Sequence, residues 1–312
     1  MREERCEFYS EGVKLAGILR LPDEPSAGAL PTLVHGPGWL GLKDTKMYAG
    51  FHEVFTQNGY AVFTFDYRGF GDSEGERGWV NPFWQVQDIR NAITYLTTRQ
   101  EVDATRIGLY GSGGTGGGVA AYTAAMDQRV QSVVMNVGIG NGTEWLRRMR
   151  REYEWHEFLA RLAEDEQRWS TSGTGEMVSA REELMVATPE RKQTSVKKDV
   201  DSKVPEKFYL RCARYILDFK PEDVVHLIAP RSIMIVCVEQ DAVTATEQSV
   251  RLFERAVGPR RLVVQRNTTH YAAYNKYFDE VTPLAVGWFD EYLKYGAVRP
   301  QTSTSEILYI GG

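Results

Sequence analysis

The first 140 residues alternate between short apolar runs and longer stretches whose apolar residues recur at helical spacing. Runs such as YAVFTF at 60–65 are apolar at nearly every position, which is typical of strands buried on both faces of a parallel sheet. Stop signals such as Gly59 end the helical stretches. The pattern predicts strands at 13–21, 30–34, 60–65, 106–110 and 130–136, and helices at 48–58, 84–98 and 119–126.

The alternation stops near residue 140 and resumes after residue 210. Between them lies a segment rich in Arg, Glu, Trp and Lys, with helical apolar spacing and a predicted loop at 170–175. Further strands are predicted at 232–238 and 261–266, and further helices at 246–257 and 281–293. We therefore predict an α/β fold with a mostly parallel sheet of about eight strands and helices on both faces. The predicted units are a first core part (1–140), a helical cap (141–210), a second core part (211–298) and a C-terminal tail (299–312).

Composition narrows the function classes. The 312 residues carry a formal net charge of −5, which argues against a nucleic-acid partner and against electrostatic attachment to a membrane. Three scattered cysteines and no clustered His or carboxylate motif predict neither a disulfide framework nor a metal site. We expect a cytoplasmic protein with a small-molecule substrate and no metal or organic cofactor, and leave a homodimer open.

Five short motifs follow one another along this pattern. They are His35-Gly36 after a strand, DYRGFGDS at 66–73, DATRIGLYG at 103–111, Asp241 after a late strand, and His270 near the end. In this order they resemble the α/β-hydrolase superfamily, and within it the dienelactone-hydrolase and acyl-peptidase-like groups. The resemblance covers about residues 10–295, with the cap as the divergent part.

The resemblance implies a catalytic triad in the chain order nucleophile, Asp, His, with the nucleophile on a strand-to-helix elbow. His270 follows a predicted strand and is the expected general base. Asp241, three residues after another predicted strand, is expected to orient the imidazole, and Glu239 is its nearby competitor. His35 is expected to shape its loop.

The nucleophile departs from the family pattern G-x-S-x-G. The run at 111–118 reads GSGGTGGG, so the nucleophile position falls on Gly113, which has no side chain. Ser112 one residue earlier, Thr115 two residues later, or no side chain at all could take the role, the last either naturally or because a serine was engineered away. We expect Ser112 to point away from the pocket, and Thr115 to pack or to hydrogen-bond backbone in the first turn of a helix. The additional glycines are expected to permit positive φ and a close approach of backbone to ligand.

The oxyanion loop departs as well. In the family, the residue after His-Gly donates its N–H to the oxyanion, but here that residue is Pro37, which has none. Gly38 or Trp39 could substitute, and the glycine run supplies further N–H groups at a helix N-terminus. The sites expected to bind substrate or oxyanion are Gly36, Pro37, Gly38, Trp39, Gly114, Trp145 and Tyr271.

The predicted cap carries aromatic and basic residues that could determine specificity. The aromatic residues are expected to pack onto the core or to line an apolar pocket; they are Trp145, Tyr153, Trp155 and Trp169. The basic cluster is expected to form a solvated face or to bind a substrate carboxylate; it comprises Arg147, Arg148, Arg150 and Arg151.

These observations favour an enzyme that hydrolyses a small ester, lactone, amide or activated C–C bond. The departures at Gly113 and Pro37 keep open a cofactor-independent lyase or decarboxylase on the same fold, or an engineered variant without a nucleophile. A ligand-binding protein is the third alternative, and the presence of both Asp241 and His270 argues against it.

Overall fold

The computed structural model describes residues 1–24, 28–38, 41–193, 202–295 and 304–312. Within these ranges, nine strands form one sheet in the order β1-β2-β4-β3-β5-β6-β9-β10-β11. Pairing from β4 to β11 is parallel, whereas β1–β2 and β2–β4 are antiparallel. The strands are β1 Arg2–Ser10, β2 Val13–Leu21, β3 Leu30–Gly36, β4 Ala61–Phe65, β5 Val102–Ser112, β6 Val130–Asn136, β9 Ser232–Val238, β10 Arg260–Gln265 and β11 Ser305–Ile310.

Two edge strands, β1 and β11, extend the sheet beyond the sequence prediction. Outward charges interrupt β1, whose inward residues Cys6, Phe8 and Ser10 are the buried ones. The expected tail at 299–312 is therefore wrong over 305–310, which pairs in parallel with β10 as an outer strand. Both strands were missed because an edge strand contributes only alternate residues to the core and lacks a continuous apolar run.

Alternate residues of the central strands divide the core into two layers. On β4, Phe63 packs on one side of the sheet and Val62 on the other; on β9, Ile235 and Val236 do the same. One layer contains the helices α2 Pro82–Leu96 and α3 Gly114–Met126, and the other contains α1 Ala49–Gln57 and α11 Phe278–Phe289. The sheet is thus covered on both faces, as its strands of unbroken hydrophobicity require.

Between β6 and β9 the chain leaves the main sheet. This insertion forms the helices α4 Gly142–Arg148, α5 Glu152–Ser172, α6 Pro189–Gln193, α7 Cys212–Asp218 and α8 Pro221–Val224, and a small antiparallel sheet of β7 Met177–Ser179 and β8 Lys207–Tyr209. Helix α5 runs through part of the loop predicted at 170–175 and ends at Gly173, whose φ of 70° suits a helix C-terminus. After β9 the chain forms α9 Thr246–Arg255, and α10 Ala273–Lys276 precedes α11.

Helix α3 begins at Gly114, five residues before its predicted start, because the glycine run belongs to the helix. A Cβ atom on Gly116 would lie 2.5 Å from the Pro37 oxygen, and one on Gly117 would lie 2.6 Å from the Gly138 Cα. These glycines therefore let the helix pack directly on neighbouring backbone, rather than admitting a ligand as expected. Within the run, only Gly113 has a positive φ.

Candidate active site

The carboxyl ends of the parallel strands bring the predicted site residues to one edge of the sheet. Asp241 follows β9 and His270 follows β10. The His270 Nδ1 lies 2.8 Å from the Asp241 Oδ2, and the two side chains are only 4 % and 1 % exposed. The structure thus brings together the pair that the motif order indicates, in a nearly dry setting.

Asp241 is anchored from several directions. Its Oδ1 accepts hydrogen bonds from the backbone N–H groups of Val243 (2.7 Å) and Thr244 (2.9 Å), and its Oδ2 accepts one from the Thr244 hydroxyl (3.0 Å). Burial alone would raise the pKa of this carboxyl, but His270 and the two N–H donors outweigh it and lower the pKa below its usual value. Asp241 is therefore an anion at neutral pH. The competitor Glu239 pairs instead with Arg266 at the surface.

An ionised Asp241 fixes the tautomer of His270. The carboxylate can only accept, so the His270 Nδ1 carries the proton and donates it to Asp241. The Nε2 atom is left with its lone pair, and no hydrogen-bond partner of this atom occurs among the described residues. This nitrogen can take a proton from a group in the pocket.

The elbow between β5 and α3 is occupied by Gly113, with φ 75° and ψ 169°. This conformation is nearly exclusive to glycine. A Cβ atom on this residue would lie 3.2 Å from the Gly38 Cα and 3.8 Å from the Tyr274 Oη, inside the same pocket as His270. The backbone therefore forms an elbow with its missing side chain directed at the site.

Ser112 lies outside the pocket, as its position on the strand predicts. It is fully buried, and its Oγ is 2.6 Å from the His35 Nε2, whose Nδ1 is 2.8 Å from the His52 Nε2. Since His35 contributes to this buried hydrogen-bonded chain, it does more than shape a loop. Ser112 and His270 occupy separate networks.

The His52 imidazole predicts a pH dependence of stability. Burial, with His35 and Arg20 nearby, holds its pKa well below the usual value. Below about pH 6.5 the His52 side chain binds a proton in the unfolded chain but not in the folded chain. The free energy of unfolding therefore falls as pH falls, by up to about 1.4 kcal/mol per pH unit. The difference in urea midpoint between pH 7.5 and pH 5.5 should therefore be smaller in His52→Gln than in the parent chain; an equal difference would contradict this origin.

The pocket over the elbow is narrow, about 40 Å³, and its described lining comes from both core and insertion. Four of the predicted binding residues line it: Gly38, Gly114, Trp145 and Tyr271. Gly36 and Pro37 do not, because they pack against the first turn of α3. Trp39 lies outside the described residues. Thr115 lines the pocket; its side chain is packed in the first turn of α3 at 1 % exposure, and its hydroxyl has no hydrogen-bond partner in the described part of the chain.

Of the aromatic residues in the insertion, Trp145 lines the pocket and donates its Nε1–H to the Val243 oxygen (2.8 Å). Tyr153 is 56 % exposed, Trp155 stacks on Phe158, and Trp169 packs among other aromatic side chains. Of the two alternatives, lining of the pocket applies to Trp145, which follows β6 closely, whereas Trp155 and Trp169 pack against other side chains.

The arginines of the predicted basic cluster do not line this pocket. Arg147 pairs with Glu152, Arg148 with Glu144 and Glu247, and Arg150 donates to backbone oxygens over the Phe158 ring. The cations that line the pocket are Arg181 and Arg191, from the segment after β7 and from α6. No pattern in the sequence indicates these two arginines as site residues, since only the fold brings their segments to the pocket.

Two phenols besides Tyr271 line the pocket, and neither was predicted. Tyr48 and Tyr274 are 1 % and 2 % exposed. Burial raises the pKa of Tyr48 to about 12, despite the contacts of its hydroxyl with Ser112 and Gly38, and raises that of Tyr274 well above its usual value. Both are hydrogen-bond donors at neutral pH. Tyr274 lies one helical turn after His270, a spacing from which its proximity could have been predicted.

Among the described residues, no three or more His, Cys, Asp or Glu side chains cluster as a metal site would require. Across the same ranges, no helix is both long and apolar enough to cross a bilayer.

Comparison with known proteins adds an independent observation. The family model for "Serine aminopeptidase, S33" matches residues 29–272. An uncharacterized 31.7 kDa protein of the traX-finO intergenic region of Escherichia coli is 30 % identical over 290 residues, covering 91 % of this chain and 97 % of that protein. The thiohydrolase aneE of Aspergillus aculeatus is 36 % identical over 131 residues, covering 41 % of this chain and 39 % of that protein.

A solved structure supports the same fold. The α/β-hydrolase GrgF from Penicillium sp. sh18 superimposes with a TM-score of 0.78 at 20 % identity, covering 95 % of this chain and all of that one. The family match spans most of the sheet together with the His270 loop. The chain is therefore a hydrolase of the α/β-hydrolase superfamily and belongs to its serine aminopeptidase S33 family.

Proposed function

We propose that this enzyme hydrolyses a small organic acyl compound with His270 as the general base and water as the nucleophile. The observation that carries the proposal is the buried His270–Asp241 pair beside an elbow residue, Gly113, that has no side chain. In this reading Gly113 occupies the position at which relatives of this fold carry their nucleophile. An alcohol distant from the general base is a poor nucleophile, and the Ser112 hydroxyl is hydrogen-bonded to His35 and not to His270.

The reaction follows from the tautomer of His270. The Nε2 atom takes a proton from water while the water oxygen bonds to the substrate carbonyl carbon, and Asp241 stabilises the imidazolium that forms. The tetrahedral oxyanion collapses, the bond to the leaving group breaks, and Nε2–H⁺ returns the proton to that group. No acyl-enzyme forms, and atoms and charges balance within one turnover.

The first turn of α3 is the proposed oxyanion site. Its first N–H groups have no carbonyl partner within the helix, and they carry the positive end of the helix dipole. Gly114 lines the pocket at this end. Because Pro37 has no N–H to donate, these amides take over the stabilisation that the loop supplies in the family.

The lining also favours a substrate class. Arg181 and Arg191 line the pocket and contribute two positively charged side chains to it. A wider cleft of about 530 Å³ shares Trp145 and Val243 with the narrow pocket. We propose that the reacting carbonyl enters the narrow pocket, that a negatively charged group faces the arginines, and that the bulk of the substrate lies in the wider cleft.

Pre-steady-state kinetics test the proposal, with p-nitrophenyl acetate and the hemisuccinate ester of p-nitrophenol as a matched neutral and anionic pair. We expect faster turnover of the anionic ester and no burst of p-nitrophenol, because no acyl-enzyme accumulates. A burst equal to the enzyme concentration would contradict direct attack by water, and a preference for the neutral ester would contradict the substrate class.

A lyase is the second candidate, and the absence of a side chain on Gly113 favours it specifically. In that case His270 would move a proton while a C–C or C–O bond breaks, and water would not be consumed. Turnover of a converted substrate in H₂¹⁸O separates the two: hydrolysis places solvent oxygen in the acid product, and lyase chemistry does not.

A further inference from the structure

Two hydroxyl groups in the pocket lining, those of Tyr274 and Thr115, have no hydrogen-bond partner among the described residues. Their residues are 2 % and 1 % exposed. A buried hydroxyl without a partner costs about 1–3 kcal/mol, so such groups in native proteins call for an explanation. Here both face the pocket that contains His270.

The Tyr274 hydroxyl lies beside the elbow. A Cβ atom on Gly113 would be 3.8 Å from the Tyr274 Oη, so an oxygen one bond beyond that Cβ is within hydrogen-bond reach. The Gly113 amide donates to the Asn136 oxygen at 3.1 Å and also interacts with the Tyr274 oxygen, but as a donor it leaves the hydrogen of the phenol without an acceptor. The rings of Tyr274 and His270 are 6.4 Å apart, in edge-on orientation. The phenol and the imidazole therefore flank the same point.

The protonation state of Tyr274 determines which hydrogen bonds its hydroxyl can make at that point. Burial raises the pKa of Tyr274 well above its usual value, so it remains a neutral donor throughout the working range. It cannot compete with His270 for the proton of a water molecule. It can donate its own hydrogen to the oxygen of a water molecule bound beside it.

We propose that Tyr274, assisted by Thr115, binds the attacking water over Gly113, at the place where a serine oxygen would be. This inference rests on the proposed function. The Tyr274 hydroxyl donates to the water oxygen, and His270 Nε2 accepts one of the two water protons. As the bond from the water oxygen to the carbonyl carbon forms, His270 Nε2 takes the proton, so the attacking oxygen ends as a neutral hydroxyl and the negative charge develops on the carbonyl oxygen. The hydrogen bond from Tyr274 holds the water in position for this step. Two positioned contacts replace the covalent attachment of a serine, which keeps the entropy cost of the attack low.

The test is Tyr274→Phe, assayed with the p-nitrophenyl ester pair. The variant removes one oxygen atom and keeps the ring, so we expect a folded protein whose kcat falls about 100-fold with little change in KM. Thr115→Val, which replaces the hydroxyl with a methyl group of similar size, should lower kcat by a smaller factor. An unchanged kcat in Tyr274→Phe would overturn the proposal.

The chain offers a matched control in Tyr67. Its hydroxyl is also buried and also without a partner among the described residues, but it does not line the pocket. Tyr67→Phe should therefore leave kcat unchanged and fold at least as stably. Equal losses in Tyr67→Phe and Tyr274→Phe would assign the effect to packing and overturn the proposal.

A second background separates water binding from a structural role. In Gly113→Ser the serine oxygen is attached to the chain, so adding Tyr274→Phe should change its phosphonylation rate far less than it changes the kcat of the parent. A loss as large as in the parent would overturn the role in water binding. Should Tyr274→Phe be normal while His270→Ala is inactive, this inference fails and the proposed function stands; should both be normal, both fail.

Discussion

Replacing His270 with alanine should lower kcat by about 1,000-fold or more, the largest loss expected of any single substitution in this chain. The variant retains Asp241 with its donors from Val243 and Thr244, so the loop between β9 and α9 keeps its anchors. Steady-state turnover of the p-nitrophenyl esters, with a thermal melt to verify folding, measures the effect.

His156→Ala is the matched control for this prediction. His156 is a helical histidine on α5 whose side chain is 71 % exposed beside Glu152, far from the motif loops in sequence. Its loss should leave kcat unchanged. If His270→Ala, folded, turned over at the parent's rate, the assignment of the general base would be wrong.

The second large effect is a gain of reactivity towards fluorophosphonates. Gly113→Ser should create an activated serine that a fluorophosphonate labels stoichiometrically, whereas the parent chain resists labelling. The Cβ atom must fit 3.2 Å from the Gly38 Cα, so that loop has to yield by a few tenths of an ångström. The positive φ costs about 1–3 kcal/mol. We expect a folded variant of lower stability, with the label mapped to residue 113 by mass spectrometry.

Gly113→Ala controls for this substitution. It imposes the same Cβ and the same backbone cost but supplies no oxygen, so it should match the serine variant in stability and remain unlabelled. Labelling of the parent at Ser112 or Thr115 would contradict the claim that neither hydroxyl is activated. A folded serine variant that stays unlabelled would show that residue 113 is not directed at His270.

The α/β-hydrolase fold was predicted because its central strands are buried on both faces and stand out as continuous apolar runs, as at 60–65 and 232–238. Chain order then indicated Asp241 and His270, since both follow such strands closely and parallel strands end at the same edge. The edge strands β1 and β11 were not predicted, because about half of their residues face solvent and they lack a continuous apolar run.

The rest of the pocket could not be predicted from local patterns. Arg181 and Arg191 come from the insertion, where helical spacing indicates packing but not which end reaches the sheet. Tyr48 follows the loop after β3, and only the fold brings it to the elbow. The glycine run was expected to let the backbone approach a ligand, but its glycines pack against the backbone of Pro37 and Gly138. No sequence pattern indicates these contacts.

A high-resolution crystal structure of the parent enzyme tests the central claim most directly, since the claim concerns which oxygen lies next to His270. We predict density for one ordered water within about 3.2 Å of the His270 Nε2, over Gly113 and in contact with the Tyr274 hydroxyl. The hydroxyl of Ser112 or Thr115 within that distance of Nε2 would contradict the claim, because the enzyme would then possess a side-chain nucleophile.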